Sequence, residues 1–313
     1  MDRRSFLEHT GIALTAASSI GTLTACASEP VPRGGAIGIG ICDWNLGPKA
    51  DPEQIPRAAE ATLQGIQVSL ENNQNDITLT DPAVRARFLE LGQEYGISFH
   101  SVAMGILNQF PLATDPQTPG WLVSAIESAA AIGASNVLMA FFGNGDLRLR
   151  DEAGEFTNES AGAFASYRLN EEHVASVVDI LKRTIPTARD AGVVLGLENT
   201  ITANQNLEII DRVGSDSLQI YYDLGNSTGN GYDVPNELRA IGNDRLCEVH
   251  LKDWNTRLLG SEDASVDARG AAMALREIGY DKWLVLETSG REGHFMEDTQ
   301  ANVTWAKQTF EMA

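Results

Sequence analysis

The chain has 313 residues, 43% of them hydrophobic and 21% charged. That is enough apolar material for a large core, and it excludes both a wholly disordered chain and a small disulfide-stapled domain. Lys and Arg total 23 against 43 Asp and Glu, a formal net charge of −20, so the chain repels polyphosphates and no nucleic-acid partner is expected, while cation binding is compatible with it.

The chain opens with Arg3 and Arg4 after Met1 and Asp2, followed by a weakly apolar, small-residue run from Gly11 to Ala25 and then Cys26. A positive start, an apolar stretch and small residues before a cut are the layout of an export signal. It resembles a bacterial twin-arginine signal, and Leu23-Thr24-Ala25-Cys26 resembles a lipobox. The expectation is an export signal over 1–25, lipidation at Cys26 and a Gly/Pro-rich tether over 26–35. This places the protein on the periplasmic side, held to a membrane by a lipid anchor only. Cys42 and Cys247 remain, and one pair of cysteines is no disulfide framework.

From residue 36 onward, short apolar runs alternate with stretches of helical spacing. The strand-like runs are Ala36–Ile41, Gly65–Leu70, Ile97–Ala103, Asn136–Phe142, Val193–Glu198, Leu218–Asp223, Leu246–His250 and Trp283–Glu287. The helical stretches are Asp51–Leu63, Asp81–Tyr95, Trp121–Ile132, Asn170–Ala191, Leu207–Val213, Pro235–Ile241, Val266–Ile278 and Glu297–Phe310. Asp-Pro starts and Gly stops punctuate them, because Gly supplies the left-handed residue that ends a helix. Eight alternating units predict an α/β fold, a single-domain (β/α)8 TIM barrel over 36–313. A doubly wound open sheet is the alternative, but no Gly-x-Gly-x-x-Gly follows the first strand. One polar, Gly-rich excursion, Gly143 to Leu169, follows the fourth strand and reads as a lid over the active face.

Four consecutive strand-like runs end in side chains able to hold a metal: Glu198, Asp223, His250 and Glu287, separated by 25, 27 and 37 residues. Each separation is about one βα unit, so a barrel would bring all four to the carboxyl ends of its strands. Three carboxylates and one imidazole suit one divalent cation of intermediate hardness, Mn2+ foremost, with Mg2+ or Co2+ next. Zn2+ is admissible but favours more His or Cys.

The motifs Gly196-Leu197-Glu198-Asn199, Tyr222-Asp223-Leu224-Gly225-Asn226, Val249-His250-Leu251-Lys252-Asp253 and the run Gly279 to Thr288 stand in this order and spacing. With them the chain resembles the xylose isomerase-like TIM barrel family of sugar isomerases and epimerases over roughly residues 36 to 311. The resemblance implies that Glu198, Asp223, His250 and Glu287 hold one divalent metal, and that Glu198 and Glu287 carry protons. The reaction implied is proton abstraction next to a carbonyl through a metal-stabilised enediolate on a small carbohydrate. Many relatives have a His three residues after the metal-binding Asp. Here the position is Asn226, which can hydrogen-bond a sugar hydroxyl but cannot shuttle a proton.

Further substrate-binding candidates are Lys252, which shares a strand face with His250, and His100, read as ending the third strand. Trp44 and Trp254 lie beyond strand ends and offer apolar faces to sugar C–H groups. Arg291 follows on the last loop. A homo-oligomer is compatible with this reading. Two alternatives stand beside the isomerase: a lyase that cleaves a 3-keto-glycoside by β-elimination, and a non-catalytic lipid-anchored sugar-binding protein. The metal-dependent endonuclease branch resembles the chain only at fold level, and its charge and few histidines argue against it.

Overall fold

In a computed structural model, which describes residues 37–158 and 166–311, the eight apolar runs become eight parallel strands. They are β1 (Gly38–Cys42), β2 (Gly65–Ser69), β3 (Ser98–Met104), β4 (Asn136–Phe141), β5 (Val194–Asn199), β6 (Leu218–Asp223), β7 (Leu246–Leu251) and β8 (Trp283–Leu286). They pair in chain order, and β8 pairs back onto β1, closing a barrel. Closure leaves no unpaired strand edge, and it overturns the open-sheet alternative. The export segment, Cys26, the tether and residues 159–165 of the excursion lie outside the described residues. Cys42 and Cys247 are free and buried.

Among the described residues ten helices accompany the strands: α1 (Asp43–Leu46), α2 (Ile55–Glu60), α3 (Pro82–Tyr95), α4 (Thr118–Ile132), α5 (Glu171–Asp190), α6 (Ala203–Val213), α7 (Leu224–Gly229), α8 (Val234–Ile241), α9 (Ala268–Glu277) and α10 (Phe295–Ala306). Their ends follow local chemistry. Asp81 accepts from the Ala83 N–H ahead of α3, and Gly96 ends that helix at φ 68°. Asn170 caps α5, and Thr202 with Gln205 forms a capping box on α6, each cap contributing about 1 kcal/mol. The stretch Asp51–Leu63 is shorter as a helix than its pattern predicts. A 3-10 turn (Pro52–Gln54) precedes α2, and the chain leaves the helix at Thr62, whose φ is 62°.

The larger core lies between barrel and helices. There Ile39, Val137, Leu195 and Leu284 from the strands meet the same apolar cluster as Leu122, Val177 and Leu181 from the helices, all fully buried. Each such side chain contributes about 2 kcal/mol of burial. The barrel interior is a second cluster around Cys42, Leu138, Tyr221, Cys247 and Val285.

Two register shifts shape that interior. Ile66 pairs with Phe99 but Gln67 with Ser101, leaving His100 as an extra residue. Ile220 pairs with Leu246 but Tyr221 with Glu248, leaving Cys247 extra. Such a bulge lets two successive side chains leave the strict in–out alternation. His100 and Ser101 both reach Glu248 inside the barrel. Glycines make the room: a Cβ at Gly38 would stand 2.6 Å from Trp283, and one at Gly40 would collide with His100 Nε2. The His100 and Trp283 rings fill that space, stacked with centroids 4.7 Å apart.

Candidate metal centre

Strand direction puts every carboxyl end on one face of the barrel. Glu198 lies at the end of β5 and Asp223 closes β6. His250 is one residue from the end of β7, and Glu287 follows β8. Asp223 and His250 are direct neighbours across the β6–β7 ladder. One donor atom from each of Glu198, Asp223, His250 and Glu287 lies within 4.8 Å of the others.

His250 is the hub. Its Nδ1 lies 2.9 Å from Glu198 Oε1, 3.6 Å from Glu287 Oε2 and 3.7 Å from Asp223 Oδ2. Its Nε2 lies 2.9 Å from Gln67 Oε1 and 3.5 Å from the Cys42 sulfur. Trp44 meets the ring edge-on at 6.2 Å between centroids, and Tyr221 lies 4.5 Å from it.

Asp223 has a divided role. As the N-cap of α7, its Oδ1 accepts from the Asn226 N–H at 2.7 Å. Its Oδ2 is buried and accepts no hydrogen bond of proper geometry, although Lys252 Nζ stands 2.9 Å away as an ion pair. Burial opposes ionisation of this carboxyl, but the Lys252 charge and His250 outweigh it and hold its pKa at about 2. Burial pushes Glu287 the other way, above the ordinary carboxylate range, against the pull of His250 and Lys252. Glu287 is also the most open of the four, its side chain 22% exposed against 7% for Glu198 and 2% for Asp223.

Lys252 Nζ donates to Glu287 Oε2 at 2.6 Å. Its stem lies over Gly225, where a Cβ would stand 2.6 Å from Lys252 Cγ. Asp253, the next residue, does not take the lysine. It folds its own loop by accepting from the N–H groups of Asn255, Thr256, Ser265 and Val266.

The donor set fits a divalent ion. Lys252 and His250 offset only part of the repulsion among three carboxylates this close, and Asp223 Oδ2 is a buried oxygen that accepts no hydrogen bond. Three oxygens and one nitrogen match Mn2+, Mg2+ or Co2+ better than Zn2+.

The other predicted residues divide. Trp44 and Lys252 join the centre. Asn226 serves it through its backbone, while Trp254 is 59% exposed on the rim, over Gly229. His100 does not join. β3 runs on to Met104, so His100 does not end its strand but lies deep in the barrel, paired with Glu248 at 2.9 Å. Arg291 also turns away, clamped on Asp298 in the first turn of α10, with Nη2 at 2.6 Å from Oδ1. The described part of the excursion folds as a ribbon with Arg148 over the Phe156 ring at 3.5 Å. It is rooted beyond β5, with Asp146 accepting from the Thr200 hydroxyl in the loop and the Tyr167 carbonyl accepting from Gln205 in the first turn of α6. Gln67 was not predicted. Its signal is an amide in an otherwise apolar run, on the same strand face as Gly65 and Ser69.

The profile of the xylose isomerase-like TIM barrel matches residues 55–311. No curated protein matches the chain. Among solved structures, D-allulose 3-epimerase from Methylomonas sp. is similar with a TM-score of 0.66 and 18% identity over 88% of this chain and 98% of its own. A D-psicose 3-epimerase has a TM-score of 0.69 and 13% identity over 88% and 100%. A 3-keto-D-glucoside 4-epimerase from E. coli has a TM-score of 0.68 and 15% identity over 87% and 99%. At such identities the likeness is one of fold. With the closed barrel and the extent of the profile match, this chain belongs to the xylose isomerase-like TIM barrel family.

Proposed function

We propose that this protein is a metal-dependent carbohydrate isomerase or epimerase that moves a proton beside a carbonyl. The observation that carries the reading is the convergence of Glu198, Asp223, His250 and Glu287 within 4.8 Å at the open end of the barrel. These four residues would hold one divalent ion, Mn2+ foremost, which supplies positive charge against the oxyanion that develops as the proton leaves. Glu198 and Glu287 come from the ends of β5 and β8, the outermost of the four contributing strands, and the reaction requires them to flank the substrate on opposite sides. One carboxylate removes the proton. The other returns it, to the opposite face for epimerisation or to the neighbouring carbon for isomerisation. Lys252 holds Glu287 in place and adds a second positive charge, and Trp44 gives the sugar an apolar wall. The similar structures that bear sugar-epimerase names support this reading.

An oxidised glycoside is a second substrate class. The name of the 3-keto-D-glucoside 4-epimerase supports it. Proton removal beside its carbonyl would expel the aglycone, a lyase reaction. The test is exchange of substrate hydrogen with heavy water across ketoses, aldoses and 3-keto-glucosides in the presence of Mn2+. A mass-neutral product supports the isomerase or epimerase, and release of the aglycone together with an unsaturated keto-sugar, which becomes a reducing keto-sugar only after water adds, supports the lyase. Glu198→Gln and Glu287→Gln are expected to lower exchange by about 100-fold or more. Saturable sugar binding without exchange, whatever the divalent ion, would leave a sugar-binding protein instead. For the first 35 residues the proposal is twin-arginine export with Cys26 as lipid anchor. Loss of lipid labelling in Cys26→Ser would support it, and unchanged labelling would reject it.

A further inference from the structure

The interior polar residues form a chain of hydrogen bonds with a direction. At its lower end is Glu248, wholly buried, two residues before His250 on β7. Its Oε2 accepts from His100 Nδ1 at 2.9 Å, Ser101 Oγ at 2.9 Å and Tyr221 OH at 2.8 Å, and its Oε1 accepts from Asn136 Nδ2 at 2.7 Å. Ser101 and Tyr221 have one hydroxyl proton each, and both are spent on this carboxylate. Only lone pairs remain on the two oxygens. The Gln67 amide fills them, its Nε2 donating to Ser101 Oγ at 2.9 Å and Tyr221 OH at 2.9 Å.

That arrangement leaves Gln67 no choice of orientation. With its NH2 turned down, its carbonyl oxygen must face His250 Nε2, 2.9 Å away. The His250 proton facing Gln67 therefore belongs on Nε2. Nδ1 is thereby left facing Glu198, Asp223 and Glu287; it donates to Glu198 Oε1 at 2.9 Å and would give up that proton to present its lone pair to a metal held on that side. An amide flip at Gln67 would set acceptor against acceptor at both hydroxyls and offer NH2 to His250.

We infer that Glu248 is a positioning residue for the metal centre, acting through Ser101, Tyr221 and Gln67 to fix the imidazole tautomer of His250. The inference rests on the metal-centre reading given above. Glu248 touches neither substrate nor metal on this account. Its carboxylate, an acceptor with no proton to give, sets the polarity of the chain.

The experiment is a double-mutant cycle on the full chain, read as Mn2+ affinity from the free-ion electron paramagnetic resonance signal, with the melting temperature of the metal-free protein as a second readout. Gln67→Leu is expected to weaken Mn2+ binding about 10- to 100-fold, as loss of an outer partner of a ligating His does. Glu248→Gln puts donors where the chain needs acceptors and is expected to weaken binding about tenfold. In the Gln67→Leu background it should cost no further affinity, because the connection is already cut. A purely structural role predicts losses that multiply and that follow the melting temperature. Should Glu248→Gln fail to fold, Ser101→Ala combined with Tyr221→Phe severs the same connection while leaving the Glu248–His100 pair. The same non-additive loss is then expected. Wild-type Mn2+ affinity in folded variants, or multiplying losses, would overturn the inference while leaving the metal centre standing. A wild-type protein that takes up no Mn2+ would overturn the metal centre and the inference with it.

Discussion

Lys252 places an ammonium 2.6 Å from one predicted metal ligand and 2.9 Å from another. A fixed positive charge at that range repels an incoming divalent ion while it steadies the carboxylates. Replacing it with an uncharged side chain of similar length should therefore separate affinity from turnover. For Lys252→Met the expected outcome is Mn2+ binding tighter by about tenfold, about 1.4 kcal/mol, with slower substrate hydrogen exchange. Isothermal titration beside the exchange assay checks both. Proton competition supplies a second prediction. Ligands must shed protons to hold a metal. Asp223, held at about 2, stays ionised across the working range, whereas Glu287 is raised above its ordinary 4.5. As pH falls from neutral toward that region Glu287 is the first of the two to take a proton, so Mn2+ affinity should decline there and recover on return to neutral. An affinity that does not decline until pH has fallen below the ordinary carboxylate value would contradict the assignment.

At the scale of elements, the site depends on how strand ends are tied together. Asp43, just past β1, accepts from Ser69 N–H at 2.7 Å, Ser69 Oγ at 2.6 Å and Ala50 N–H at 2.9 Å, all buried. Asp43→Ala would orphan those donors and should cost about 3 kcal/mol, measured as a lower urea midpoint with an unchanged slope. Gly40→Ala would drive a Cβ into His100 and is expected to cost about 1–3 kcal/mol by overpacking. The order of strands and helices was legible because apolar runs and Gly stops survive in one dimension. The position of His100 was not. A bulge adds one residue to β3, and nothing in the run Ile97–Ala103 marks where the ladder slips. Arg291 misled for another reason: its partner Asp298 lies only seven residues on, and the turn between them carries it onto α10. For Lys252 the side of the strand was readable from spacing, but the choice among Asp223, Glu248, Asp253 and Glu287 needed three dimensions.

For the whole molecule, metal and fold should be linked, because the four proposed ligands lie on or just after separate strands and are brought together only when the barrel closes. An ion that binds only the closed barrel stabilises it by about 2.7 kcal/mol at 100 times its dissociation constant. Excess Mn2+ is expected to raise the melting temperature of the wild-type protein by several degrees and to leave Asp223→Ala unmoved. Equal shifts in the two proteins would mean that the ion binds elsewhere.

The four ligands all come from β5 to β8, within residues 194–287. The first half of the barrel contributes the Trp44 wall and Gln67, but none of the four. The four convergent side chains and the Trp44–Gln67 side of the mouth are thus encoded in different stretches of the chain. On the proposed reading, changes in the loops after β1 to β4 would alter the substrate wall while leaving the four convergent side chains in place. Gln67 is the link that such rewriting must preserve. In a chimera whose first four strands come from a relative, keeping or losing an amide at that position would decide whether the transplanted half still supports the old reaction.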